Sequence, residues 1–157
     1  MMSGMPNRPY YVDVPLRWSD MDALRHVNNV QIVRLLEEAR VAALREWFRD
    51  SEGESHRPAL LIARQEIDYV AQLHYRPEPV VVAIWVSKIS GASFDISYEV
   101  RDSRDDDSPV FAAAESTQVV FDMETQRPQR ISAEDKAYLE RVSGDPVELK
   151  RRPVGHL

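Results

Sequence analysis

The sequence predicts an α+β domain in which a five-stranded antiparallel sheet wraps around one long helix. Two observations predict this class: one long segment has the apolar period of a helix, and five other segments have strand patterns, with the helical segment second in the order. The chain has 157 residues, which is the length of one domain with a single core. We expect that domain to span residues 9–142, between terminal tails at residues 1–8 and 143–157.

Each element follows from a local pattern. Residues 10–18 alternate apolar and polar side chains, which predicts a strand, and because of Pro15 we expect that strand to lie at a sheet edge or to carry a local irregularity. Residues 29–49 carry apolar side chains three and four positions apart, which predicts the long helix. Four further strands are expected at residues 60–70, 80–89, 93–100 and 110–121, and one short helix at residues 132–142. We expect the four strands to run as consecutive antiparallel neighbours. Residues 143–157, after the short helix, are expected to form a loosely held tail.

The composition argues against several classes of function. A net charge of −6 disfavours a nucleic-acid partner, and the absence of cysteine excludes disulfides, thiolate metal sites and cysteine nucleophiles. No apolar run approaches the roughly 20 residues that span a membrane, and the first residues lack a secretory signal, so we expect a cytoplasmic protein. His56, His74 and His156 are far apart without metal-ligand spacing, so no metal site is expected.

The polar segment RWSDMDALRHVNNVQ, residues 17–31, has two interpretations. In the first it only starts the long helix: Asn28 is the N-cap, Gln31 completes a box-like arrangement, and Asp20 and Asp22 complement the helix dipole. This interpretation explains Asn28 well. It does not explain why further polar side chains cluster around the cap.

In the second interpretation the same segment is an active site. Backbone N–H groups around Asn29 and Val30, at the helix start, could hold the oxygen of a polarised carbonyl as negative charge develops on it. A carboxylate a few residues earlier could attack that carbonyl or activate a water molecule. Asp22 is the better candidate, because a turn can bring it back against the helix entrance, whereas Asp20 is expected at the strand end.

The segment SDMDALRHVNNVQIVRLLEEAR resembles the opening of the hot-dog-fold acyl-CoA thioesterases of the 4-hydroxybenzoyl-CoA thioesterase class. The similarity extends over about residues 9–131. It implies a hot-dog fold that hydrolyses an acyl-CoA to free acid and CoA, without metal or organic cofactor. Asp22 matches the family's catalytic carboxylate, as base or nucleophile, and His26 and Asn29 would be supporting polar groups. Plant acyl-carrier-protein thioesterases carry an Asn where this chain has Leu24, so that mechanism is not expected.

Other residues are weaker candidates. Asp68 and Tyr69 could line a substrate channel, and Ser93, at a strand start, could face the thioester. A glutamate on the helix serves a second thioesterase class, but Glu38 lies four positions after Arg34, the spacing of an ordinary surface ion pair. The arginines considered for the CoA phosphates are Arg64, Arg76 and Arg101.

The expected partners are an acyl-CoA substrate and further copies of the chain. The strand at 80–89 is apolar on both faces, so the far face of the sheet is expected to meet a partner. The family resemblance implies a homodimer with active sites at the subunit interface, and in many members a dimer of dimers, that is, a homotetramer. Two alternatives remain: a non-catalytic acyl-CoA-binding protein of this fold, and a hot-dog enoyl-CoA hydratase or dehydratase.

Overall fold

The helices and strands follow the predicted order. The structure is a computed structural model that describes residues 9–151. None of its helices within that range is long and apolar enough to cross a membrane. The elements are β1 (Tyr10–Val14), a short 3₁₀ turn (Trp18–Asp20), α1 (Asn29–Trp47), β2 (Leu60–Tyr69), β3 (Val80–Ile89), β4 (Ser93–Arg101), β5 (Val110–Asp122), β6 (Arg127–Pro128) and α2 (Ala133–Glu140). The α+β hot-dog prediction is confirmed, with β1 ending at Val14, just before Pro15.

The strand order in the sheet is β1-β3-β4-β5-β2, and neighbouring strands are antiparallel. The predicted edge position of β1 is confirmed, as is the succession β3, β4, β5. The prediction that β2 neighbours β3 is wrong, because β2 pairs with β5 at the opposite edge. Residues 70–79 do not make a tight hairpin: they leave the β2 edge and pass the start of α1, where Leu73 accepts a hydrogen bond from the N–H of Val27 at 2.7 Å.

The main core lies between α1 and the inner face of the sheet. The buried residues of α1 recur at helical spacing, and Leu35, Ala39 and Ala43 are fully buried. They pack against alternate residues of the strands, such as Ile84 of β3 and Ile96 of β4. Fully burying one such aliphatic side chain contributes roughly 1.5–3 kcal/mol, so this face holds the helix on the sheet.

The outer face of β3 is covered by the chain itself. Trp85 is fully buried there, and its indole N–H donates to the carbonyl of Asp145 at 2.7 Å. Val147 and Leu149 are buried beside it, and the N–H of Val147 donates to Ser97. The prediction of a loose tail is therefore wrong for residues 143–151, because the apolar outer face of β3 needs a cover and this segment supplies it. Residues 152–157, including His156, lie outside the described residues.

Candidate active site

A tight turn brings Asp22 back against the start of α1. The N–H of Asp22 donates to the carbonyl of His26 at 2.8 Å, and the N–H of Arg25 donates to the carbonyl of Asp22 at 3.0 Å. Met21 and Val27 pair across the base of this turn. We call residues 21–27 the catalytic turn, since Asp22 and His26 both belong to it.

The carboxylate of Asp22 is held from one side only. Its Oδ1 accepts hydrogen bonds from the N–H groups of Leu24 at 2.8 Å and His26 at 3.1 Å. Within residues 9–151 its Oδ2 has no hydrogen-bond partner, and the residue is exposed. The side chain is therefore oriented by the turn while one oxygen remains accessible to a reacting molecule.

Asp20 is bound in a different way. It is fully buried, and its Oδ2 accepts from the N–H of Arg17 at 2.7 Å and from the guanidinium of Arg34 at 2.6 Å. Its carbonyl also accepts the N–H of Asn28 at 2.9 Å. Asp20 was expected at the end of a strand. It lies instead in the 3₁₀ turn, because β1 already ends at Val14. Its role is to tie the segment before the catalytic turn to α1.

The start of α1 confirms the predicted cap and changes the expected donors. Asn28 is the N-cap, and its side-chain oxygen accepts the N–H of Val30 at 2.9 Å. The prediction that Gln31 completes a box-like arrangement with Asn28 is wrong, since the side-chain oxygen of Gln31 accepts hydrogen bonds from Arg17 and Arg34. Because the N–H of Val30 is already bound, it is not the free carbonyl-binding donor that was expected. The N–H of Asn29 meets no acceptor within the described part of the chain.

A cavity of about 360 Å³ opens between the catalytic turn, the start of α1 and the end of β2. Asp22, His26, Asn29 and Tyr69 come together at it, so four of the residues singled out in the sequence share one site. The remaining lining residues are mostly apolar: Val27, Ile32, Val70, Ala71, Gln72, Leu73 and Phe111. A cavity lined by both apolar side chains and polar groups suits an acyl chain that ends in a carbonyl.

Three sequence candidates for substrate binding do not line this cavity within one chain. Val30 is 65% exposed and is not among the residues that line the cavity. Asp68 faces the outer side of β2, where its carboxylate accepts the N–H of Lys150 at 2.7 Å. Ser93 pairs with Val119, whereas Tyr69 pairs with Ala112 on the same strand, so Ser93 lies seven residues along β5, or roughly 23 Å away.

The structure adds His74 to the surroundings of the site. Its ring meets that of His26 edge-on, with the ring centroids 4.9 Å apart, and the two residues also pair through their backbones. Nothing in the local sequence links them, because the contact depends on the path of residues 70–79. The same path brings Leu73 into the cavity.

The charged residues considered for phosphate binding are engaged elsewhere. Arg64 pairs with Glu115 and Glu66, and the hydrogen bond to Glu115 raises the pKa of Arg64. Likewise, ion pairs join Arg76 to Asp102 and Arg101 to Glu99. The expected surface pair between Arg34 and Glu38 on α1 is confirmed. Across residues 9–151, no three His, Asp or Glu side chains are grouped so as to hold a metal ion.

Comparison with known proteins agrees with this fold. Residues 16–140 match the model of a family described as the thioesterase-like superfamily. The chain is similar to a predicted thioesterase from Bacillus stearothermophilus, with 24% identity and a TM-score of 0.73 over 88% of this chain and 99% of that chain. No curated protein matches the chain.

Two other solved structures are also similar to it. A thioesterase from Thermus thermophilus, complexed with coenzyme A and zinc, has 22% identity and a TM-score of 0.68 over 84% of this chain and 92% of that chain. A 1,4-dihydroxy-2-naphthoyl-CoA thioesterase from Synechocystis has 18% identity and a TM-score of 0.65 over 83% and 93%, respectively. At this identity, these likenesses establish the fold.

Proposed function

The chain belongs to the thioesterase-like superfamily and is a thioester hydrolase by that membership, and we propose that its substrate is an acyl-CoA and its catalytic carboxylate Asp22. The observation that carries the proposal is that two groups belong to residues lining one cavity: the accessible Oδ2 of Asp22 and the N–H of Asn29, which has no acceptor within residues 9–151. A thioester hydrolase needs both, since one activates the attack and the other stabilises the charge that the attack creates.

The positions of these two groups support the following reaction. The thioester carbonyl oxygen lies at the start of α1, where the N–H of Asn29 and the positive end of the helix dipole stabilise it as an oxyanion. Asp22 takes a proton from water as the water oxygen attacks the carbonyl carbon, and collapse of the tetrahedral intermediate breaks the C–S bond. The departing thiolate takes up the proton that Asp22 received, so the products are the carboxylic acid and the CoA thiol.

The alternative role for Asp22 is nucleophilic. Its Oδ2 attacks the carbonyl carbon directly and releases the CoA thiol, leaving a mixed anhydride that water then hydrolyses. Both routes require the same position of Asp22 and give the same products. In either route His26 holds the carboxylate through its backbone N–H, and its ring borders the reacting centre.

We further propose that the active form is a homodimer joined at the β2 edge, with a dimer of dimers as a further assembly. β2 is a ten-residue edge strand in this chain, and Leu61, Ile62 and Val70 at or beside it are 47%, 40% and 55% exposed. Such an edge is unusual unless another chain covers it. Because Tyr69 and Val70 also line the cavity, a partner at this edge would complete its wall.

The test is release of free thiol from a panel of short, medium, long and aromatic acyl-CoAs by wild type and by Asp22→Asn. We expect wild type to turn over at least one class, and Asp22→Asn to lower kcat at least about a hundredfold, equivalent to about 2.7 kcal/mol of transition-state stabilisation. Hydration of an enoyl-CoA without thiol release would support the hydratase alternative. Binding without any turnover would support the non-catalytic one.

A further inference from the structure

A second cavity, of about 450 Å³, lies on the other side of the catalytic turn. We call the cavity of about 360 Å³ at Asp22 the acyl cavity. The two rings of the His26–His74 contact belong to different cavities, because His26 lines the acyl cavity and His74 lines the second one. The acyl cavity is lined by Tyr69 of the β2 edge strand, whereas the second cavity is bordered by Trp18, which follows β1 at the opposite edge. Asp22, which lines the acyl cavity, lies in the same turn as Met21 and Arg25, which line the second one.

The side chains of the second cavity have the chemistry that binds nucleotides. Its lining residues are Trp18, Met21, Arg25, His74 and Tyr75, and none of them is acidic. Trp18 is 74% exposed, so one of its faces is available for stacking. An aromatic face stacks on any base, and an arginine guanidinium binds phosphate oxygens in a bidentate manner.

Arg25 differs from the three arginines considered for phosphate binding, and its backbone conformation is unusual. Within residues 9–151 its guanidinium has no ion pair or hydrogen bond, as is also the case for Arg57, whereas Arg64, Arg76 and Arg101 are paired with carboxylates. Its φ is 64°, in the left-handed region that glycine adopts far more easily. A long cationic side chain thus occupies a position where a glycine would form the turn with less strain. The folding of the turn gives no reason for an arginine there, but binding of an anion does.

We propose that the second cavity binds the nucleotide end of coenzyme A, with Trp18 stacked on the adenine and Arg25 bound to the phosphates. This inference rests on the proposed function and adds how the substrate's carrier group is recognised. The thiol arm would run from the second cavity past Asp22, and the acyl group would continue into the acyl cavity. A chain with a net charge of −6 needs such a local cation to bind a polyanionic substrate.

The experiment compares one acyl group on two carriers: coenzyme A and N-acetylcysteamine, which keeps the thioester but has no nucleotide. For each variant, the measured quantity is the ratio of kcat/KM on the acyl-CoA to kcat/KM on the N-acetylcysteamine thioester. We expect this ratio to fall at least about tenfold in Arg25→Gly and in Trp18→Ala, mainly through KM for the acyl-CoA. Arg25→Lys keeps a cation at this position, so its ratio should fall less than that of Arg25→Gly.

The matched control is Arg57→Gly, which removes another exposed arginine, in the segment between α1 and β2. Its ratio should equal that of wild type, and Arg25→Gly should unfold at a temperature no lower than wild type, because the turn is relieved of strain. Equal losses on both carriers, or an unchanged ratio in Arg25→Gly, would overturn the proposal. The same acyl group can also be offered on an acyl carrier protein as a third carrier. If the substitutions lower kcat/KM only with that carrier, the proposal is overturned in favour of a protein-docking surface.

Failure of the proposed function gives a different result. If wild type hydrolyses neither thioester, calorimetry with coenzyme A alone still tests the cavity. Binding that weakens at least about tenfold in Arg25→Gly and not in Arg57→Gly supports the nucleotide site. Equal binding by both variants, or none by wild type, contradicts it.

Discussion

Two aspartates separated by one residue have opposite environments. Asp20 is fully buried and has its carboxylate oxygens bound by Arg17 and Arg34, whereas Asp22 is exposed and has one oxygen without a partner in the described chain. A buried, fully bound carboxylate stabilises structure, and an oriented but accessible one can react. This contrast supports the proposal that Asp20 is a structural anchor and Asp22 the reactive group.

The anchor role makes a prediction about stability. Asp20→Ala leaves the guanidinium of Arg34 and the N–H of Arg17 without their acceptor, so we expect a loss of about 2 kcal/mol in the free energy of unfolding. The estimate is kept low because Arg17 is 57% exposed and water replaces part of its interaction. Chemical denaturation measures it, with Asp13→Ala, an exposed strand aspartate, as the control. An unchanged unfolding midpoint in Asp20→Ala would refute the anchor role.

At the level of elements, an ion pair between His56 and Asp50 joins the two ends of a turn in the segment after α1. The hydrogen bond that the His56 ring donates to the Asp50 carboxylate raises the pKa of His56 above 6.5. The N–H of Glu54 and then His56 lower the pKa of Asp50 below 3.8. The stability that His56 contributes to the folded state is complete below pH 6.5 and is lost as the pH rises through its raised pKa. The stability that Asp50 contributes is complete above pH 3.8 and is lost as the pH falls through its lowered pKa.

The pair should therefore stabilise the fold most between about pH 4 and about pH 6.5. We expect the difference in melting temperature between wild type and His56→Gln to be larger at about pH 5.5, below the ordinary pKa of histidine, than at about pH 9, well above it. The effect is small, since both side chains are solvated. A difference that does not vary between these two pH values would contradict the assignment.

Across residues 9–151, the outer sheet face is covered at β3, whereas the β2 edge carries exposed apolar side chains. Residues 143–151 cover Trp85 on the outer face, so that face does not need the partner that the sequence suggested. The β2 edge lies next to the acyl cavity. This arrangement favours assembly through β2 over assembly through the sheet face.

The dimer proposal can be tested with one charged substitution. Ile62→Glu places a carboxylate in the β2 edge, and we expect it to convert a dimer into a monomer at micromolar concentration and to lower turnover with it. Met123→Glu is the matched control, since Met123 is equally apolar, is 61% exposed and lies in the turn after β5. Sedimentation velocity gives both results. A wild-type monomer with full activity would refute the dimer as the active form.

Sequence patterns predicted the elements better than their pairing. Periodicity located α1 and each strand of the five within a few residues, because it reflects which side chains face a core. It could not show that β2 pairs with β5, since that depends on where residues 70–79 cross the sheet. It also missed the packing of Val147 and Leu149, two apolar residues among charges and a proline.

The same contrast holds for the site. Asp22, His26 and Asn29 were found because they lie close together in the sequence, in one turn before a helix. Distant chain segments bring in His74 and Phe111, and no local pattern identifies such contacts. That the N–H of Val30 is unavailable depends on the orientation of one side chain, Asn28, which no spacing rule specifies.

The central claim is that Asp22 reacts and Asp20 anchors, and the most direct measurement is kcat together with melting temperature for Asp22→Asn and Asp20→Asn on the best acyl-CoA substrate. The account predicts that Asp22→Asn loses at least about a hundredfold in kcat with its melting temperature within a few degrees of wild type. Asp20→Asn should instead lower the melting temperature. Turnover by Asp22→Asn close to that of wild type would contradict the account and remove Asp22 from the chemistry.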